Sequence, residues 1–156
     1  MIYIGIDPGV SGGLAAIGNQ VFAITSMPPT EVDIWEWFSC SFGRLACPDF
    51  AVIEKNSGYV GGNGNPGSAM YKFGRNAGLL AMALTASGIP YEEVTPGVWQ
   101  RGLGIPCRKK DEPKGRFKNR LKAHSQKLFP LEHITLSTAD AVLIAEYCRR
   151  KQEGKL

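Results

Sequence analysis

The hydrophobic and polar positions along the chain form short runs, and each run has the period of one kind of element. Apolar, β-branched runs bounded by turn residues predict strands, whereas apolar residues that recur every three or four positions predict helices. Strands are predicted at residues 2–6, 14–17, 21–25, 50–53 and 91–94. Helices are predicted at residues 30–47, 68–86, 95–101 and 114–128, and from residue 137 onward. This order predicts an α/β fold with a mixed, five-stranded sheet flanked by helices.

The first predicted helix has the clearest local signals. Thr30 is a good N-cap residue, and Asp33 places a negative charge in the first turn. The apolar residues that recur at three- and four-residue steps are expected to form the buried face: Val32, Trp35, Phe38, Phe42 and Leu45.

Glycine marks three further features of the pattern. The tripeptide Gly18-Asn19-Gln20 predicts a hairpin turn, and the segment "KNSGYVGGNGNPG" after the fourth strand predicts a mobile loop. Gly74 and Gly78 lie one turn apart on the second helix, where they would let another backbone approach closely. That approach could be an internal helix crossing or a dimer interface.

Length and composition fit one domain spanning residues 1–156. A hydrophobic share of 44% with 21% charged residues is ordinary for a globular chain of 156 residues. The four cysteines form no C-x-x-C pair, so free thiols in a reducing compartment are expected. The chain has no run of about 18 apolar residues and no signal-peptide pattern, which predicts a cytoplasmic protein without a membrane segment.

The positive charge is concentrated in one segment. Ten of the 18 Lys and Arg residues lie between Arg101 and Lys127, where only two acids accompany them. The segment therefore has a net charge of +8 and leaves −4 on the rest of a chain whose total is +4. Such a block is typical of proteins that bind a phosphate-rich partner, and a solvated loop is the alternative explanation.

Three carboxylates, Asp7, Glu54 and Asp140, each begin or end an apolar element. Asp7 and Glu54 follow buried strands, and adjacent strands would place them side by side at the edge where α/β sheets bind ligands. Each also has a purely structural explanation: a turn at Asp7-Pro8-Gly9, a solvated strand end at Glu54, and a capping box of Ser137 with Asp140. The coincidence of all three with a basic segment favours a functional cluster.

Such a cluster suits phosphodiester hydrolysis with divalent metal ions. Mg²⁺ prefers oxygen ligands and is held by a few carboxylates, water and substrate phosphate. Two ions about 3.5–4 Å apart can activate the attacking water and stabilise the leaving oxygen.

Five segments, taken in order, resemble the RuvC-type Holliday junction resolvases of the RNase H-like superfamily. They are "IYIGIDPGVSGGLAAI", "AVIEK", "SAMYKFGRNAGLL", "YEEVTPGVWQRGLG" and "STADAVLIAEY", and together they extend over nearly the whole chain. The resemblance implies a homodimer that nicks a four-way DNA junction with Mg²⁺ or Mn²⁺, two ions per active site. It leaves a bacterial or a phage source open.

The resemblance also assigns roles to residues. Asp7, Glu54 and Asp140 match the family's catalytic, metal-binding acids, and the helix with Gly74 and Gly78 matches the dimer interface. The basic segment supplies five residues that are expected to bind DNA: Arg108, Lys109, Lys110, Lys114 and Lys118. Lys114 and Lys118 are both candidates for contacting the scissile phosphate.

Two positions qualify the match. Tyr59, in the glycine-rich loop, could wedge into the junction or could be an ordinary loop tyrosine. Ser137 stands where the family carries another Asp or a His, and a serine is a poor ligand for Mg²⁺. This departure keeps open a catalytically weak junction-binding protein.

Two further classes stay open from the sequence. A nuclease of the same fold could act on other branched, single-stranded or RNA-containing substrates, because the metal chemistry is common to both. Sugar kinases and ATPases of the actin-like group also begin with a strand and a D-x-G loop. Those proteins need two lobes to enclose a nucleotide, whereas 156 residues provide one.

Overall fold

The computed structural model describes residues 1–18, 21–40, 47–55 and 67–156. Its strands are β1 (Tyr3–Asp7), β2 (Gly13–Ile17), β3 (Val21–Ser26), β4 (Phe50–Glu54) and β5 (Tyr91–Val94). Its helices are α1 (Glu31–Cys40), α2 (Gly67–Ala86), α3 (Pro96–Gly102), α4 (Lys114–Leu128) and α5 (Ala139–Gln152). The element order and the mixed sheet predicted from the sequence are confirmed.

The five strands form one sheet in the order β3-β2-β1-β4-β5. β1 pairs antiparallel with β2, and β2 with β3. β4 and β5 both run parallel to β1, with Ile6 of β1 opposite Ile53 of β4. The two central strands therefore end at the same edge of the sheet.

The sheet separates two hydrophobic cores, and the alternation of side chains along β1 assigns residues to them. Ile4 and Ile6 belong to the core under α1 and α2. Tyr3 belongs to the core under α5, on the opposite face. Because side chains alternate along a strand, Asp7 lies on the α5 face with Tyr3.

A close approach between β1 and α5 fixes the position of that helix. A Cβ atom added at Gly5 would overlap the carbonyl oxygen of Ala141 and the amide nitrogen of Ala145. Only a residue without a side chain lets the α5 backbone come this near to the strand. The first turn of α5 is thereby held over the end of β1.

The first helix confirms the predicted cap and corrects the predicted buried face. The Thr30 hydroxyl accepts a hydrogen bond from the Asp33 amide at 3.2 Å, and the Thr30 amide donates to the Asp33 carboxylate at 3.2 Å. Ile34, Trp37 and Phe38 are buried, whereas Val32 and Trp35 are exposed. Of the predicted stripe, Phe38 faces the core and Val32 and Trp35 do not, while Phe42 and Leu45 lie outside the described residues.

Several sequence predictions fall on residues that the structure does not describe. They concern the hairpin turn at 18–20, the loop after Glu54 and the end of the first helix beyond Cys40. In the described residues, no helix has both the length and the apolar composition needed to cross a bilayer. The cytoplasmic location stays a prediction.

Replacing Gly5 with Ala tests the close approach between β1 and α5. We expect a loss of about 1–3 kcal/mol or more in the free energy of unfolding, because the added methyl group collides with backbone atoms that cannot turn aside. Urea titration followed by circular dichroism measures this loss.

Gly115→Ala is the matched control, since a Cβ at Gly115 meets nothing within 4 Å. This substitution in α4 is expected to leave the stability unchanged or to raise it by up to about 1 kcal/mol. Equal stability of the two variants would contradict the packing described for Gly5.

Candidate active site

Asp7 and Glu54 end the two central parallel strands on the same face of the sheet. Val52 of β4 belongs to the core under α5, so Glu54, two residues later, also lies on that face. The side chains of both acids are buried, each residue being 9% exposed. The predicted proximity of Asp7 and Glu54 is therefore present in the fold.

Asp140 comes to the same place from the first turn of α5. It is only 5% exposed, and its Oδ1 atom is buried without a hydrogen-bond partner among the described residues. A buried carboxylate oxygen without a partner is costly, which is unusual in a purely structural acid. The three predicted acids thus converge.

The capping-box explanation for Asp140 is wrong. The N-cap residue of α5 is Thr138, and its side chain makes no capping hydrogen bond. The Ser137 hydroxyl lies 2.8 Å from that of Ser26 and 2.9 Å from that of Thr135. Ser137 is thus occupied with neighbouring hydroxyl groups, and Asp140 is left to interact elsewhere.

Lys118 of α4 inserts its ammonium group between two of the acids. Its Nζ donates a hydrogen bond to Asp140 Oδ2 at 2.5 Å and lies 3.9 Å from Asp7 Oδ2. The Lys118 side chain is 32% exposed, so it reaches the carboxylates from the open side of the cluster. Of the two lysines between which the sequence could not choose, this one contacts the acids.

The surroundings of Asp7 and Lys118 change the pKa of both groups. Burial raises the pKa of Asp7 to about 7; Glu54 and Asp140 also raise it, while Lys118 and Lys114 lower it. Burial lowers the pKa of Lys118, but attraction to Asp140 and the other two carboxylates outweighs that effect and leaves the pKa raised. The cluster therefore favours either a proton or a cation at its centre.

Trp99 positions Glu54. The indole Nε1 donates a buried hydrogen bond to Glu54 Oε2 at 2.8 Å, and Trp99 is fully buried in α3. Burial raises the pKa of Glu54, the Trp99 hydrogen bond opposes this, and Asp140 adds to it. From the sequence, Trp99 is predicted only to be part of a short helix. The pattern of residues does not indicate which acceptor a buried indole N–H will bond to.

A cleft of about 790 Å³ opens beside the three acids. It is lined by all five basic residues expected to bind DNA: Arg108, Lys109, Lys110, Lys114 and Lys118. Ser11, Gln100 and Phe117 also line it, and no motif in the sequence predicts a role for them at this site. An acidic cluster thus meets a basic wall in one cleft.

The loop carrying part of that wall is fastened to α4 by one ion pair. Arg120 donates to Glu112 through Nε at 3.2 Å and through Nη2 at 2.9 Å, and its Nη1 donates to the Pro106 carbonyl at 2.8 Å. Glu112 also accepts a weak hydrogen bond from the Lys109 amide at 3.4 Å. These contacts hold the loop that carries Lys109 in place at the wall of the cleft.

Gly74 and Gly78 lie outside this site. A Cβ at Gly74 or Gly78 would meet nothing within 4 Å, and both residues are exposed on α2. An internal helix crossing at these glycines is therefore not found among the described residues. Tyr59 lies outside the part of the chain that the structure describes.

The donors of the cluster fit a divalent cation, and the unpartnered Oδ1 of Asp140 is the observation that carries this fit. Three carboxylates supply the oxygen ligands that Mg²⁺ and Mn²⁺ accept. In the described ranges, however, no three acidic, histidine or cysteine side chains are close enough to share one ion as they stand. The ammonium group of Lys118 instead contacts two of the acids.

The solved structures that resemble this chain over nearly its whole length include two of RuvC. "T. thermophilus RuvC in complex with Holliday junction substrate" matches with a TM-score of 0.69 at 17% sequence identity, covering 99% of this chain and 97% of that one. The other is a Thermus thermophilus RuvC structure, with a TM-score of 0.63, 17% identity and coverage of 99% and 98%. No protein-family model and no curated protein matches the sequence. The fold is therefore the RNase H-like fold of RuvC, as predicted.

The raised pKa of Asp7 predicts how stability depends on pH when no metal is bound. Because the pKa is about 7 in the folded protein and near 4 in the unfolded chain, the folded state binds the proton more tightly between these values. The stabilisation is present at low pH and is lost as the pH rises through 7. We expect a higher urea midpoint at about pH 5.5 than at about pH 8 in EDTA.

Asp7→Asn should remove most of this difference, since the amide does not titrate. Asp111→Asn, at an exposed acid outside the cleft, is the matched control and should keep it. A pH dependence that persists in Asp7→Asn at full size would contradict the assignment.

Proposed function

We propose that this protein is a metal-dependent DNA endonuclease that resolves four-way junctions, as a crossover junction endodeoxyribonuclease. The observation that carries the proposal is the convergence of Asp7, Glu54 and Asp140 beside a basic cleft. The likeness in fold to a RuvC solved with a Holliday junction substrate supports this choice of substrate.

Asp7, Glu54 and Asp140 would hold Mg²⁺ or Mn²⁺, with two ions per active site as the expected number. When bound, the metal supplies an activated water and neutralises charge on the scissile phosphate. The chain's own residues prepare the site: Trp99 fixes one Glu54 oxygen, and α5 holds Asp140 over the strand ends. Ser137 is engaged by Ser26 and Thr135, so three acids suffice in this proposal.

The basic wall would bind the phosphates that flank the scissile bond. Arg108, Lys109, Lys110 and Lys114 line the cleft beside the acids. Binding to phosphates gives affinity that falls with salt, whereas the shape of a branched substrate supplies selectivity. The basic side chains of the cleft suit a negatively charged substrate. The acidic side chains beside them suit the metal ions that accompany its phosphates.

In a homodimer, a two-fold axis would relate two such clefts to each other. Tyr71, Gly74, Gly78 and Met82 recur at three- and four-residue steps along α2, and all four are exposed. An open stripe of this kind would let two α2 helices approach closely. Paired sites fit the paired nicks that resolve a symmetric junction.

The competing classes receive less support from the site. A kinase of the actin-like group needs a second lobe, whereas the described residues form one sheet with its helices. A nuclease acting on other branched, single-stranded or RNA-containing substrates would use the same acids, so substrate preference decides between it and the proposal. A catalytically weak junction-binding protein would bind junctions and leave them intact.

Asp7→Asn is expected to lower the rate at which a synthetic four-way junction is nicked in Mg²⁺ by a factor of about a hundred or more. Junction binding should survive or tighten, because one negative charge facing the phosphates is removed. The assay follows end-labelled strands on denaturing gels, with linear duplex, single-stranded and RNA–DNA substrates in parallel.

The charge-matched control is Asp111→Asn, which should nick normally because Asp111 lies outside the cleft. A wild-type protein that cuts linear or hybrid substrates as readily as junctions would favour the broader nuclease. Unchanged cleavage by Asp7→Asn would overturn the metal-site assignment.

Replacing Lys109, Lys110 and Lys114 with Ala should weaken junction binding and reduce its salt dependence. For every phosphate that the variant no longer neutralises, the slope of log K against log salt becomes shallower by about 0.9. Fluorescence anisotropy at several salt concentrations, without divalent ions, measures the slope. A triple variant of Lys72, Lys127 and Lys155, which lie outside the cleft lining, keeps the net charge change equal. Equal slopes in the two triple variants would show that the basic wall does not bind DNA.

A further inference from the structure

Lys118 and a divalent cation would compete for the same oxygen atoms. The lysine ammonium bonds Asp140 Oδ2 at 2.5 Å and lies 3.9 Å from Asp7 Oδ2. Both acids belong to the set that the proposed function assigns to the metal. An ammonium group and a metal ion cannot occupy one position, and their mutual repulsion in a buried site is strong.

The second carboxylate oxygen of Asp140 indicates that the lysine fills the site only partly. Oδ1 of this residue is buried and has no partner among the described residues, although Oδ2 is paired. The Lys118 ammonium has three N–H donors. From its position beside Oδ2 it does not bond to Oδ1, so that oxygen stays without a partner. A cation bound between the acids would supply the missing ligand interaction.

Lys118 is able to leave. Its side chain is 32% exposed and lines the cleft, and its only hydrogen bond in the described structure is the one to Asp140. A four-carbon stem lets the ammonium swing without moving the helix. The open cleft beside it is where a substrate phosphate would offer the ammonium a new anionic partner.

We propose that Lys118 is a resident counter-ion that keeps the three-acid site closed to divalent metal until it is displaced. The inference rests on the proposed function and deepens it by setting an order of events at the same site. Without DNA, the ammonium holds the acids and metal binds weakly. With DNA, a phosphate draws the ammonium away, and metal affinity rises. Metal and DNA then strengthen each other's binding by the same factor.

Lys114 provides the matched control for this proposal. It lies one helical turn before Lys118, lines the same cleft and lowers the pKa of Asp7 through space. It forms no ion pair with any carboxylate that the structure describes. Lys114→Met therefore removes the same charge from the same region without opening a position among the acids.

The test measures Mn²⁺ binding to DNA-free protein by calorimetry for wild type, Lys118→Met and Lys114→Met. If the lysine leaves the site open about one tenth of the time, Lys118→Met binds about tenfold more tightly than wild type. Lys114→Met should stay close to wild type. Equal affinities for the two variants, or weaker binding by Lys118→Met, would overturn the proposal.

A stability measurement guards against a variant that binds differently because it is poorly folded. In EDTA, Lys118→Met should melt at a lower temperature than Lys114→Met, because three buried acids lose their counter-ion. Saturating Mn²⁺ should raise its melting temperature by more than that of either other protein. An equal Mn²⁺-induced shift in all three proteins would also contradict the proposal.

These outcomes are separable from those of the proposed function. Wild-type protein that nicks junctions, together with equal Mn²⁺ affinities, would remove the counter-ion role and leave the nuclease in place. Tighter Mn²⁺ binding by Lys118→Met, together with a wild type that leaves junctions intact, would keep the counter-ion role and remove the nuclease.

Discussion

The burial of like charges beside one another is the constraint on which this site depends. Asp7, Glu54 and Asp140 are each no more than 9% exposed; Glu54 and Asp140 raise the pKa of Asp7, and Asp140 raises the pKa of Glu54. Such a group must acquire a proton, a lysine or a metal ion to stay folded. Lys118 fills this need in the structure, and a divalent cation would fill it in the proposed nuclease.

The fold produces this arrangement through two backbone features. Parallel pairing of β1 with β4 brings two strand ends to one edge, and alternation along each strand turns their acids to the same face. The missing side chain at Gly5 then allows α5 to come near enough to add Asp140. None of these residues is adjacent in sequence, so the site exists only while the sheet and helix stay packed together.

Much of this could be predicted from the sequence because the relevant signals are local. Strand periods, turn residues and the ends of β1 and β4 were sufficient to predict the mixed sheet and the pairing of Asp7 with Glu54. The face of α1 could not be predicted, since Val32 with Trp35 and Ile34 with Trp37 both have helical spacing, and packing selects between them. Choices of this kind depend on tertiary contacts that a periodic pattern does not contain.

The residues that bind the three acids were the hardest part of the site to predict from the sequence. Lys114 and Lys118 are one turn apart on α4, so periodicity alone could not tell which ammonium reaches the carboxylates. The indole of Trp99 is part of the core, and its hydrogen bond to Glu54 follows from how α3 meets β4. In both cases the distance along the chain is long and the interaction is set by the three-dimensional fold.

A crystal structure of the protein soaked in Mn²⁺, with anomalous diffraction data, tests the central claim most directly. We expect anomalous density among the carboxylates of Asp7, Glu54 and Asp140, with the Lys118 ammonium displaced into the cleft. Anomalous density only at other positions, with Lys118 still bound to Asp140 at saturating Mn²⁺, would contradict it.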